Sequence, residues 1–260
     1  MSLGLDMSVG GVLRDWRRRR RFSQLDLAGE VQVSSRHLSF VESGRAGASR
    51  ELLLRLADGL EMPLRERNRL LLAAGYAPLH AERPLDAPDM EAARAAVDAV
   101  LAGCEPYPAI AVDRHWTLVA ANAAVARLVA GASAALLEPP VNVLRLSLHP
   151  EGVAGRIENL AQWRRHVLHR LKAQAEASGD RVLLELHAEL SALAGRGGVP
   201  PAPLDAIATP LRLRDADGRV LSLISTTTVF GAANEVTLSE LTLECFYPAD
   251  EATRRVFLDP

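Results

Sequence analysis

Residues 23–45, SQLDLAGEVQVSSRHLSFVESGR, constrain the chain most, because they hold two short helix-forming runs that open on serines and are joined by a very tight turn. Ser23 is followed three positions on by Asp26, the spacing of a reciprocal N-terminal cap, and Leu25, Ala28 and Val31 supply an apolar stripe. Ser34 starts the second run, the Ser43-Gly44 pair ends it, and Leu38 and Val41 are its buried positions. A connection as short as Gln32-Val33 holds two helices at a steep angle, so further helices must close the core around them.

The flanks provide those helices. Val12–Arg20 carries Val12, Leu13 and Trp16 on one face and a run of arginines on the other. Arg50–Leu60 follows a Ser49 cap with Leu53, Leu56, Ala57 and Leu60 at helical spacing, and Pro63 starts a fifth helix that Gly75 closes. An all-α, five-helix domain over residues 1–77 follows. Prolines at 78, 84 and 88 mark residues 78–89 as a linker.

Residues 90–260 form a second domain of a different class. Met90–Leu101 is an Ala-rich helix, and Ala109–Val112 and Thr117–Ala121 are strands around an Asp113-Arg114-His115-Trp116 turn, after which Asn122 caps a helix. A helical block from about Val153 to Leu193 breaks near Ser178-Gly179-Asp180. A Gly- and Pro-rich loop, Gly195–Pro203, precedes strands at Ala208–Arg214, Arg219–Phe230 and Glu235–Tyr247, with Asp217-Gly218 as a hairpin turn. Two strands, helices and three strands make an α+β domain with a mostly antiparallel sheet.

Charge separates the halves more than it characterises the whole. The net charge is only -2, but residues 1–75 hold 13 arginines against 9 acids, while the remainder holds 17 bases against 23 acids. The basic half is the candidate nucleic-acid-binding half. No apolar run approaches the roughly 20 residues of a membrane span, and MSLGLDMSVGG lacks a signal-peptide pattern, so a soluble, cytoplasmic protein without a membrane partner is expected. Cys104 and Cys245 belong to no metal or redox spacing and are expected as small buried hydrophobes in a reducing compartment. His166 and His169 lack a carboxylate or cysteine at supporting spacing, which favours a solvated helix face over a metal site. Without a nucleophile elbow, a phosphate-binding glycine loop or paired carboxylates, no enzyme activity and no cofactor are expected.

The words SQ-x-x-LA and VSS-x-x-L-x-x-x-E-x-G-R resemble the lambda-repressor-like, or xenobiotic-response-element (XRE), helix-turn-helix family over Gly10 to Met62. The resemblance implies that the second helix enters the major groove of double-stranded DNA. Gln24 matches the family's phosphate-contacting glutamine. Ser34 opens the recognition helix, Ser35, Arg36 and Ser39 are its exposed readers, and Arg36 is suited to a bidentate contact with guanine. Phe40 aligns with a base-contacting position and either packs on a thymine methyl or turns into the domain. Glu42 and Arg45 match structural or backbone-facing positions. The run Arg17–Arg21, with Arg19 as its representative, is either a solvated face or a phosphate-facing patch. Gln32 stands where the family usually has glycine, which costs about 1 kcal/mol if φ is positive there.

In the second half, EPYPAIAVDRHWTLVAANAA (105–124), PPVNVLRLSLHPEG (139–152) and NLAQWRRHVLHRL (159–171), with PLRERNRLLLAAGYAP (63–78) before them, resemble MmyB-like transcription regulators. This implies a PAS-like ligand-binding domain that takes a small apolar, acyl-chain or fatty-acid-like ligand. Aromatic content of 4% with abundant aliphatics suits a flexible apolar ligand better than a nucleotide or flavin. Trp116 and Trp163 are expected in the core or the pocket wall. Arg145, set among apolar residues, either orients an anionic ligand head or pairs with an internal acid. The resulting expectation is a ligand-responsive regulator acting as a homodimer on a pseudo-palindromic operator, the alternative being a C-terminal domain used only for dimerisation or partner docking.

Overall fold

Serine caps set the register of the N-terminal helices. In the computed structural model, which describes residues 8–193 and 209–258, Ser8, Ser23, Ser34 and Ser49 each accept a backbone N–H from the first turn of the helix that follows. These helices are α1 (Val9–Arg19), α2 (Gln24–Glu30), α3 (Ser35–Glu42) and α4 (Arg50–Gly59), and α5 (Leu64–Ala73) starts instead on Pro63. Each cap contributes about 1 kcal/mol. Asp26 completes a capping box by accepting the Ser23 N–H. The Ser8 cap lets α1 begin three residues earlier than its apolar stripe alone indicates. Leu13, Leu27, Leu38, Leu53, Leu56 and Leu70, each at most 1% exposed, meet in one core.

The C-terminal half is built from α6 (Glu91–Gly103), β1 (Ala109–Val112), β2 (Leu118–Ala121), α7 (Val125–Val129), α8 (Ala134–Leu137), α9 (Val143–Leu148), α10 (Leu160–Ser178) and α11 (Arg181–Ala192). Then come β3 (Leu211–Arg214), β4 (Val220–Val229), α12 (Val236–Ser239), β5 (Thr242–Pro248) and α13 (Glu251–Leu258). The sheet is antiparallel throughout, in the order β2-β1-β5-β4-β3. Alternation along the strands gives it two apolar faces. Ile110, Val112, Leu213, Leu223 and Phe246 point to the side where Trp163, Val167 and Leu171 of α10 lie. Ala109, Ala111, Leu243 and Cys245 point to the other, where Val97 and Leu101 of α6 pack. This is the expected α+β, PAS-like arrangement of a curled antiparallel sheet with covering helices.

Several local expectations need correction. Asn122 caps no helix: its amide accepts the Ala109 N–H at 3.0 Å and donates to the carbonyls of Leu101 and Tyr107 at 3.1 and 2.8 Å. It ties the end of α6 to β1, and α7 begins only at Val125. The helical block starts at Leu160, not Val153, because the chain doubles back at Gly152, where a Cβ would sit 2.1 Å from the Leu146 carbonyl oxygen. Its break falls where expected, with Gly179 at φ +62° and Asp180 capping α11. The last strand starts at Thr242, since the Glu235 carboxylate accepts the Leu238 N–H and winds the preceding residues into α12. The expected Gly195–Pro203 loop and the Ala208 strand start lie outside the described residues.

Two compact units result: one of residues up to 84 together with 232–239, the other of 85–231 and 240 onward. Within the first, Asn68 is 7% exposed and pins the stretch after α5, donating to the His80 carbonyl at 2.7 Å and accepting the N–H groups of Leu79 and His80. Residues 81–83 then run beside 235–237: the Val236 N–H donates to the Ala81 carbonyl, the Arg83 N–H to the Glu235 carboxylate, and the Thr237 hydroxyl to the Arg83 carbonyl. The segment 78–89, expected as a linker from its prolines, is thus hydrogen-bonded over part of its length.

Candidate nucleic-acid interface and ligand cavity

In the first unit, α2 and α3 are joined by a turn that Gln32 closes in the left-handed region at φ +54°. The Val33 N–H returns to the Ala28 carbonyl at 2.9 Å, and Val31 is buried beneath the turn. Leu38 and Val41 anchor α3 in the core, which leaves Ser35 and Arg36 exposed and Ser39 and Phe40 half-buried on its other side. The Arg36 guanidinium stands 5.4 Å from the Phe40 ring centroid, so the two side chains form one surface element. Ser34 and Arg45 are exposed at the two ends of the helix.

Behind this face lies a buried carboxylate. Glu42 is 3% exposed and accepts a two-pronged contact from Arg17, Nε at 2.6 Å and Nη2 at 2.9 Å, plus the Gln24 amide at 2.9 Å. Arg14 donates to its backbone carbonyl at 2.6 Å. Burial pushes the Glu42 carboxyl up, but the hydrogen bonds from Arg17 and Gln24 and the charges of Arg17 and Arg14 outweigh it and hold the group below its ordinary range. Gln24 therefore links the start of α2 to this carboxylate. The arginine run divides along similar lines. Arg17 belongs to Glu42, and Arg20 bonds the carbonyls of Leu60 and Glu61 at 2.9 Å, while Arg19 lies over the Trp16 ring at 5.9 Å and Arg18 and Arg21 are exposed.

The second unit contains a cavity of about 220 Å³ between the sheet and its helices, lined chiefly by aliphatic side chains of β1–β3 and α7–α10. Trp116 and Trp163 both stand in its wall. Trp116 sits at φ +66°, an uncommon conformation for a bulky residue, in a turn where Asp113 accepts the His115 and Thr117 N–H groups. Its indole donates to Gln174 at 2.9 Å. The lining's polar side chains are Ser147, His166, Arg170 and Glu244. Ser147 accepts the Trp163 indole N–H at 2.9 Å, and His166 packs on Trp163 with ring centroids 5.6 Å apart. Arg170 pairs with Glu244, donates to the Thr227 hydroxyl at 3.2 Å, and stacks 4.6 Å from the Trp116 ring centroid.

The helix-turn-helix domain model matches residues 8–70, and the model for the MmyB-like transcription regulator ligand binding domain matches residues 93–258. The chain belongs to the MmyB-like transcription regulators. It is a DNA-binding transcription regulator, its helix-turn-helix in the first unit and its ligand-binding domain in the second. No curated protein matches it. Among the described residues of this regulator, no group of three or more histidines, cysteines or acids is placed to hold a metal, and no helix is long and apolar enough to cross a membrane.

The regulator's cavity does not include Arg145. One turn of α9 sends Leu144 and Leu148 into the core and turns Arg145 outward, where its guanidinium grips Glu189 of α11 at 2.7 Å through both Nε and Nη2. Of the two readings of Arg145, pairing with an acid is the one seen. The polar end of the cavity, Arg170 and Glu244, is missing from the sequence-level candidates. Signals for it were present: Arg170 follows Trp163 and Val167 at helical spacing, and Glu244 is a lone charge inside the apolar strand TLECFY. Burial pushes the Glu244 carboxyl up, more than Arg170 lowers it. His166 is lowered by burial and by the charges of Arg170 and His169, which keeps it neutral near pH 7.

Proposed function

We propose that this regulator is a cytoplasmic homodimer that binds a pseudo-palindromic double-stranded operator through α3 and is controlled by a small apolar, fatty-acid-like ligand in the cavity of its second unit. The observation that carries the reading is the cavity: a domain used only for assembly gains from packing solid, whereas this one keeps about 220 Å³ lined by aliphatic side chains. A cavity of about 150 Å³ already accepts benzene. On this reading Arg36 and Ser35 read bases, Ser34, Ser39, Phe40 and Arg45 support the same face, and Gln24 and Arg19 meet phosphates; the exposure of Ser35 and Arg36 on α3 supports it. Ligand control requires differential affinity for two states of the regulator. The chain passes between the two units at 84/85, 231/232 and 239/240, so β5, whose Glu244 and Phe246 line the cavity, and its sheet neighbour β4 are covalently tied to the unit that carries the helix-turn-helix.

Selection of binding sites from random DNA tests the first half. The intact chain should enrich two half-sites about one helical turn apart. Arg36→Ala should change the enriched bases, and Arg19→Ala should weaken all sites alike and flatten the salt slope by about one. Native mass spectrometry of the purified chain, with thermal shifts on adding aliphatic compounds, tests the second half. Leu128→Phe, which fills the cavity, should abolish the shifts and retain DNA binding. No enriched site, or shifts unchanged by the filling variant, would overturn the respective half. A ligand-free domain that still dimerises would favour the assembly-only role.

A further inference from the structure

β4 is longer than the strand beside it. The β3 ladder covers only Val220–Leu223 and ends at the Leu211–Leu223 pair, although Thr209 and Pro210 carry the chain past that point. On its other side β4 pairs with β5 as far as Val229. Among the described residues, Ile224–Val229 therefore have no strand along their outer edge. The direction of their backbone groups follows from their neighbours. The Ser222 N–H donates to the Thr253 hydroxyl and its carbonyl accepts the Ala249 N–H, both on the side of β5 and α13, while the Arg219 carbonyl accepts the Asp215 N–H on the β3 side. These directions alternate along a strand, so Ser225, Thr227 and Val229 turn N–H and C=O outward. The segment ISTTTV carries no charge and no proline, and five of its six residues are β-branched. Natural sheets blunt an open edge with lysines, prolines or bulges, whereas this one is left as a template for another strand.

Resting on the homodimer reading above, we propose that Ile224–Val229 is where a second copy of the chain joins, its β4 antiparallel to the first so that one sheet continues across both. The two-fold axis of such a pair stands perpendicular to the sheet and keeps each face on its own side, so odd positions meet odd and even meet even. The register that uses all three outward-facing residues sets Thr227 opposite the partner's Thr227 and Ser225 opposite the partner's Val229. Each of these pairs exchanges two backbone hydrogen bonds. The register also ends where the strand does. Gly231 would fall opposite the partner's Leu223, whose outward groups Leu211 already holds, and there the chain leaves the strand in a turn. Charge permits the pairing. The Thr227 hydroxyl accepts from Arg170 at 3.2 Å, which brings two guanidiniums toward the axis, but each is paired with its own Glu244. The same contact makes Arg170 common to the cavity wall and the interface.

Sedimentation velocity over a dilution series of the intact chain and Thr227→Pro, with oxidation of Thr227→Cys and Ser225→Cys, tests the pairing. The intact chain should be a concentration-dependent dimer. Thr227→Pro removes the outward N–H at the axis without touching a bond to β5, and should raise the dimer dissociation constant about tenfold or more, the worth of two backbone hydrogen bonds. Facing Cα atoms in such a pair lie about 5.5 Å apart, within disulfide range. Thr227→Cys should therefore become a covalent dimer in oxidised glutathione, while Ser225→Cys and the intact chain, whose Cys104 and Cys245 are buried, should not. The covalent dimer keeps the test open even where Thr227→Pro fails to fold. A dimer unmoved by Thr227→Pro, with no disulfide at Thr227→Cys, overturns the edge pairing and leaves the homodimer reading standing. Slow amide exchange at Ser225, Thr227 and Val229 in the dilute monomer would show the edge closed by the chain's own residues and also overturns the pairing. A chain monomeric at every concentration, alone and with the selected DNA, overturns the homodimer reading itself.

Discussion

Removal of the Glu42 carboxylate should destabilise the first unit more than any other single change to a polar side chain in it. The carboxylate is buried, and the Arg17 side chain that grips it through two nitrogens is itself only 12% exposed. In Glu42→Met the guanidinium stays buried with no anion, a situation that costs about 3 kcal/mol, the lower end of the range for breaking a buried pair. For a unit of this size that corresponds to roughly 15 °C in Tm. Arg17→Met leaves the opposite charge stranded and should cost a similar amount. The double variant Arg17→Met/Glu42→Met strands neither and should lie within about 1 kcal/mol of the intact chain, which makes the coupling large and favourable. Calorimetry and urea titration of the four proteins provide the cycle. The pH dependence has a definite sign. Because the folded Glu42 carboxyl lies below its ordinary value of about 4.3, its contribution is complete above that pH and is lost as pH falls through the lower folded value. The gap between the intact chain and Glu42→Met therefore narrows in acid. Additive single-variant effects, or a Glu42→Met cost below about 1 kcal/mol, would refute the reasoning.

Other outcomes follow from local geometry. Gln32→Gly relieves the left-handed φ at an exposed side chain and should raise the urea midpoint of the first unit by the equivalent of about 1 kcal/mol. Gly10→Ala should lower stability by about 2 kcal/mol in the same assay, because its Cβ would meet the Glu42 backbone oxygen at 2.3 Å and force α1 away from α3. Burial, with Cys104 alongside, pushes the Cys245 thiol up to about 12, so mass spectrometry after iodoacetamide at pH 8 should find it unlabelled in the native chain and labelled in urea.

The first unit was legible from sequence because its determinants are local. A serine followed by a compatible first turn fixes where a helix starts, and apolar positions three and four apart fix its buried face. Only Ser8, ahead of the stripe it serves, escaped. Glu42 matches a structural or backbone-facing position in the sequence, but its partners Arg17 and Gln24 lie 25 and 18 positions away, and both of them read from sequence as candidates for contact with DNA. The cavity shows the same limit. Trp116 and Trp163, expected in the core or pocket wall, stand in the cavity wall, whereas Arg145, the arginine its apolar neighbours single out, is turned outward by α9 and Arg170, which is not singled out, is turned into the cavity by α10. Asn122 looked like a cap because it sits between a strand and a helix; its real partners are the carbonyls of Leu101 and Tyr107 and the N–H of Ala109, brought together only by the sheet.

The short run 232–239 also bears on how such a protein can be divided. Excising residues 1–84 as a portable DNA-binding piece removes the partners of Ala81 and Arg83, and a fragment starting at residue 85 keeps a segment that belongs to the piece left behind. No single cut in this chain yields two whole units. Exchange of DNA-binding modules between relatives by one crossover would leave a mismatched 232–239 run, so the two halves are expected to be inherited together.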